Sequence, residues 1–149
     1  MADLPVTDNK TAGERSEQLR RAREFFAEDA FSTKTCGARV DEARPGHAVC
    51  SMEVTPAHRN AMGNVMGGAI FTLADFASAV ASNFDQTPCV TAASDARFLS
   101  ATRGSRLIAT CDVDREGRRL CFYTCRVTDD LGEVVAIVTF TCARVGGRE

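Results

Sequence analysis

Histidine is scarce in this chain: His47 and His58 are the only two among 149 residues, too few for most metal sites. None of the seven cysteines forms a C-x-x-C pair, so zinc and thioredoxin-like chemistry lack a motif. The cysteine count is odd and the N-terminus has no apolar signal segment, which together point to a reducing, cytoplasmic setting. Cys36, Cys50, Cys89, Cys111, Cys121, Cys125 and Cys142 fall mostly in strand-like runs and are expected in the core as small hydrophobes. Basic excess is also lacking. With 18 basic against 20 acidic side chains and a net charge of −2, there is no overall footprint for nucleic acid or an anionic membrane. The apolar run from Val65 to Ala81 is shorter than the roughly 20 residues a bilayer requires, and Asp75 interrupts it. It is expected to be a buried helix of a soluble protein.

What is present fits one globular domain, given the length and a hydrophobic content of 44%. Residues 1–15 are expected to be largely disordered, and 16–149 to form a single domain. Thr11-Ala12-Gly13-Glu14 resembles a capping box leading into a helix that runs to about Ala30, with Leu19, Ala22, Phe26 and Ala30 on one stripe. From Cys36 the pattern turns to short extended runs. Cys36 to Ala43 and His47 to Thr55 flank a Pro45-Gly46 turn and read as a hairpin. Four more strands are expected after the central helix, over Cys89 to Leu99, Arg106 to Asp114, Arg118 to Thr128 and Glu133 to Arg144. Leu107, Ala109, Cys111 and Val113 alternate with more polar neighbours, as a sheet with one covered face requires. Short turns between consecutive strands favour antiparallel pairing. A helix apolar around most of its circumference needs cover on most sides, which a curved sheet supplies, so the fold class is α+β.

The central helix carries the candidate chemistry. Gly63, Gly67 and Gly68 precede it without the Gly-Lys-Ser/Thr of a P-loop, because Ala69 and Ile70 follow Gly68. They make either a plain tight entry or a helix N-terminus whose free amides favour a developing negative charge. Asp75 either bonds a neighbouring backbone group or arginine, or has a task, since an ionised carboxylate is costly to bury alone. Eight residues, about 12 Å of helix rise, separate Gly67 from Asp75. If both act on one carbonyl, a second copy of the helix must run antiparallel to the first, with Ala74, Ala77, Ser78 and Ala81 permitting close approach. The chemistry then requires a homodimer.

The segment HRNAMGNVMGGAIFTLAD, His58 to Asp75, resembles the signature of hotdog-fold acyl-CoA thioesterases of the phenylacetate-degradation type, H-x-N-x-x-G-x-x-H-G-G before an apolar helix ending L-A-D. The resemblance continues through ARFLSATRGSRL, the G-R turn and the final D-x-x-G-x-x-V-A hairpin to near Arg144. The N-terminal helix lies outside it. It implies a long helix wrapped by a curved antiparallel sheet, dimers or tetramers built as dimers of dimers, an acyl-CoA substrate and no cofactor beyond it. By position it implies that Asp75 is the catalytic base or nucleophile and that the Gly67 amide polarises the thioester carbonyl. Asn60 and Thr91 take the orienting roles. Gly68 and Met66 line the entrance, where Met66 replaces the family's usual histidine and can only pack. Arg103, Arg106 and Arg118 are the candidates for the phosphates of coenzyme A. Two rival readings follow from the same residues. One is a non-catalytic hotdog protein that binds acyl-CoA or a metabolite, motivated by Met66. The other is a hydratase, disfavoured because neither histidine stands in the helix.

Overall fold

A computed structural model describes residues 9–146. Helix α1 spans Ala12–Phe26 and so begins within the 1–15 stretch; residues 1–8 lie outside the described residues. The capping box sets its start. Thr11 Oγ1 accepts the Glu14 N–H at 3.2 Å, and the Glu14 carboxylate accepts the Thr11 N–H at 2.6 Å. Gln18, Ala22 and Phe26 form the buried stripe.

The helix stops four residues short of Ala30, which is exposed. The chain instead closes a tight turn, with the Asp29 N–H on the Phe26 carbonyl, and then a single wide helical turn over Phe31–Thr35. The Thr33 hydroxyl donates to the Asp29 carbonyl at 2.9 Å, a local bond that competes with regular helix. That turn also engages the Cys36 and Ala38 amides. Strand β1 therefore begins at Arg39 rather than Cys36, and spans Arg39–Arg44.

Strand β2 (His47–Glu53) returns antiparallel to β1, and helix α2 (Gly67–Asn83) follows. Strands β3 (Cys89–Phe98), β4 (Arg106–Glu116), β5 (Leu120–Asp129) and β6 (Val134–Arg144) complete one sheet in the order β1-β2-β4-β5-β6-β3. Every pairing is antiparallel. The register shifts at Val40/Glu42, Thr91/Ala93, Val113/Arg115 and Val127/Thr128, and such bulges bend and twist strands. The sheet curves around α2, giving the hotdog arrangement. All seven cysteines are buried and unpaired, and Leu107, Ala109 and Cys111 point inward as their alternation requires.

Ala74, Ala77, Ser78 and Ala81 are buried against the chain's own sheet, which corrects the expectation that they face a second helix. The side of α2 that stays open carries Gly68, Thr72, Asp75, Ala79 and Asn83, with Gly68 and Asp75 exposed and the others half-buried. These recur at helical spacing on one stripe. Phe76, with Phe26 of α1 edge-on at 6.2 Å, bounds the stripe on one side. Phe71, with Phe140 of β6 at 6.0 Å, bounds it on the other. Strand β3 is a free edge, and of its ten residues only Cys89 is buried and Ala96 half-buried.

Candidate active site

The entrance to α2 is built by the loop between β2 and the helix. His58 is its buried anchor. The Thr55 N–H points at Nδ1 (3.0 Å), so Nε2 carries the proton and donates it to the Cys36 carbonyl at 2.9 Å. Both ring nitrogens are engaged, and the residue positions the loop rather than exchanging protons. The His58 carbonyl accepts the Met66 N–H at 2.9 Å, and Arg59 bridges to Val65. Between them the chain turns at Gly63, whose φ of +80° suits glycine.

Asn60 organises that turn. Its Oδ1 accepts the Met62 N–H at 3.0 Å and the Asn64 N–H at 3.1 Å. The oxygen is thereby occupied by the loop, and what the exposed side chain offers a ligand is its amide N–H.

Met66 precedes α2 without a side-chain cap. Among the described residues neither Gly67 nor Gly68 has a partner for its N–H. These are the first two amides of a helix whose dipole adds to their positive potential. The Phe98 ring lies 3.0 Å from where a β-carbon on Gly67 would stand, and Met66 Cε lies 3.5 Å from that position on Gly68. Sequence reasoning registered Phe98 only as part of a strand-end pattern; its contact with Gly67 joins residues 31 positions apart and has no local signal.

The Asp75 carboxylate has no hydrogen bond or ion pair among the described residues, and the residue is exposed rather than buried. Partial desolvation on the floor of the stripe, helped by the negative charge of Asp29 after α1, raises its pKa above the ordinary carboxylate value. Asp29 was not among the sequence candidates. Thr91 sits at the β3 bulge opposite Cys142, and the N–H of Cys89, two residues before it, is held by Asn83 Oδ1 at the end of α2.

One chain therefore holds two separate groups. Asn60, Met66, Gly67, Gly68 and Phe98 cluster at the start of α2. Asp75 and Thr91 lie toward its other half, about 12 Å from Gly67 along the axis.

The three arginines are divided as well. Arg103 and Arg106 flank a loop held by two acids. Asp129 Oδ2 accepts the Arg103 and Gly104 amides at 3.0 and 2.9 Å, and Asp130 Oδ1 accepts those of Ser105 and Arg106. Arg118 is in the turn between β4 and β5, at the opposite end of β4, about 30 Å away by strand rise. No single phosphate meets all three within one chain. Among the described residues no group of three or more His, Cys, Asp or Glu side chains is placed to hold a metal ion, and no helix is long and apolar enough to cross a membrane.

Residues 62–136 match the family model described as Thioesterase superfamily. The chain is 34% identical over 124 residues to a putative esterase of Deinococcus radiodurans, covering 83% of this chain and 85% of that one. It is 30% identical over 127 residues to the acyl-coenzyme A thioesterase PaaI of Escherichia coli, covering 85% and 90%. The structure of the E. coli PaaI protein superposes with a TM-score of 0.81 at 27% identity, over 89% of this chain and 97% of that one. A hypothetical thioesterase of Streptococcus pneumoniae, solved with coenzyme A, gives 0.75 at 26% identity over 83% and 99%.

Proposed function

The chain belongs to the thioesterase superfamily, as a PaaI-like member with the hotdog fold, and on that premise we propose that it hydrolyses acyl-CoA thioesters at a site completed by two copies of itself. The observation that carries this reading is the division of the site. A polarising group at Gly67 and an unpaired acid at Asp75 lie on one helix too far apart to meet one carbonyl. An antiparallel second α2 brings the Asp75 of one copy to the Gly67 of the other, twice per dimer.

Two surfaces support the assembly. The open stripe of α2 has Asp75 at its centre and small or short side chains around it, which suits a helix in close contact. The outer side of β3, a ten-residue strand paired only with β6, is unpaired among the described residues, with Val90 and Phe98 each 52% exposed, and such an edge invites pairing with another strand. Pairing β3 with its own copy antiparallel sets the two α2 helices antiparallel too.

In this arrangement the thioester oxygen accepts the Gly67 N–H, which stabilises the charge that develops on it. Asp75 of the other copy acts at the carbonyl carbon, as base for a water or as the nucleophile itself. Its raised pKa makes it a stronger base than an ordinary aspartate. The Asn60 amide and the Thr91 hydroxyl orient carbonyl and water. Arg103 and Arg106 stand at the Gly67 end of their own sheet. The two-fold returns the other copy's Arg118 to that same end, so all three can serve the coenzyme's phosphates only across the pair.

The test is hydrolysis of short-chain, long-chain and aryl acyl-CoA esters by wild type and Asp75→Asn. Loss of about 10²-fold or more in kcat is expected for removal of a general base. Equal rates would refute the assignment.

A further inference from the structure

We propose that Phe98 and Met66 form an apolar collar around the Gly67 and Gly68 amides and restrict the enzyme to acyl groups that are apolar next to the thioester carbonyl. The inference rests on the reading of Gly67 as the carbonyl-binding amide.

Both residues are large, apolar and half in solvent, Phe98 at 52% and Met66 at 47% exposure, although the sheet and helix offer a core into which side chains of this size would ordinarily go. Each lies instead beside one of the two glycines that carry the unpartnered amides. The Phe98 ring presents three carbons within 3.0–3.4 Å of the β position of Gly67, and Met66 Cε reaches 3.5 Å from that of Gly68. A β-carbon on Gly67 would press on the Phe98 ring, while one on Gly68 would meet Met66 Cε at ordinary contact distance, so the tight requirement for glycine falls on Gly67.

A carbonyl oxygen bonded to Gly67 places the first carbons of its acyl group beside these two side chains. Methylene or aryl carbon there gains contact and excludes water from the carbonyl. A hydroxyl or carboxylate on those carbons loses its hydration, and neither a phenyl ring nor a thioether replaces the strong hydrogen bonds it gives up. Substrates with plain aliphatic or aryl acyl groups are therefore favoured over 3-hydroxyacyl and dicarboxylic thioesters. Met66 and Phe98 are specificity-determining residues, not catalytic ones.

The test compares kcat/KM for butyryl-CoA, 3-hydroxybutyryl-CoA and succinyl-CoA in wild type, Met66→Gln, Phe98→Ala and Asp75→Asn. Wild type is expected to prefer butyryl over 3-hydroxybutyryl by about 10–100-fold, the scale on which an apolar pocket discriminates against an added hydroxyl, and over succinyl by more. Met66→Gln supplies an amide to the collar and is expected to narrow the hydroxyl preference about tenfold. Phe98→Ala is expected to lower butyryl turnover and narrow the ratio as well; both side chains are half exposed, so an unchanged melting temperature separates loss of the collar from loss of the fold. A wild-type ratio near one, or a ratio that neither variant moves, overturns the collar while the thioesterase reading stands on the inactivity of Asp75→Asn. Full activity of Asp75→Asn overturns both.

Discussion

His58 Nε2 donates to the Cys36 carbonyl at 2.9 Å, tying the loop that enters α2 to the turn ahead of β1. Since the Thr55 N–H occupies Nδ1, a substitution leaves the Cys36 carbonyl, which is buried, and the part-buried Thr55 N–H short of these partners. His58→Ala is expected to cost about 2–4 kcal/mol of stability, and to lower kcat through displacement of Asn60 and Gly67. Chemical denaturation and steady-state kinetics check this. Unchanged stability would contradict the anchoring role.

Asp129 is the acid on which the β3–β4 loop hangs. Burial pushes its pKa up, but the amides of Gly104, Arg103, Glu133 and Leu131 outweigh that, and the net position lies below the ordinary 3.8. A depressed carboxylate contributes stability that is fully present above the unfolded value and lost as pH falls through the folded one. Asp129→Asn replaces one accepting oxygen by a donor and is expected to cost about 2–4 kcal/mol. It is also expected to flatten the fall in melting temperature below pH 3.8. A fall as steep as that of wild type would contradict this.

The cysteines are expected to be silent toward a thiol reagent in the native protein and to react together on unfolding. All seven are buried, and burial raises Cys50, while its contact with Cys125 and burial together raise Cys111; the thiolate is the reactive form. Titration with an aromatic disulfide, with and without denaturant, counts them. Rapid native reaction of several thiols would show that the sheet opens readily.

Much of this architecture is legible in local pattern. The Pro45-Gly46 hairpin, the alternation of Leu107, Ala109 and Cys111, and the capping box at Thr11 each depend on neighbours a few residues away. The end of α1 does not, since Thr33 and the turn around it claim carbonyls that a longer helix would use. Periodicity identified Ala74, Ala77, Ser78 and Ala81 as small, but not whether sheet or second helix would cover them. The entrance residues Asn60, Met66, Gly67 and Gly68 were readable as one segment. Phe98 was not, because only the folded chain sets the end of β3 against the start of α2.

Asp75 should weaken the fold it serves. An acid whose folded pKa is raised, first by desolvation and then by Asp29, is disfavoured once ionised, so its contribution worsens as pH climbs from the ordinary 3.8 through the raised value. Asp75→Asn is expected to raise the melting temperature at neutral pH while abolishing turnover. In wild type the acid limb of kcat is expected above pH 3.8; Asp29→Asn should move it downward. A limb that stays in place would remove Asp29 from the account.

The sharing of one site by two chains is tested most directly by mixing two inactive proteins, Asp75→Asn and Gly67→Pro; the second loses the polarising N–H at a helix position that tolerates proline, and its ring displaces only the far end of the half-exposed Phe98 side chain. After unfolding and refolding together in equal amounts, half the dimers are mixed and each holds one site with an intact Gly67 and an intact Asp75. Recovery of about a quarter of wild-type activity is the expected result. Activity no greater than that of the two variants refolded separately, from a mixture shown to contain mixed dimers, would contradict the shared site.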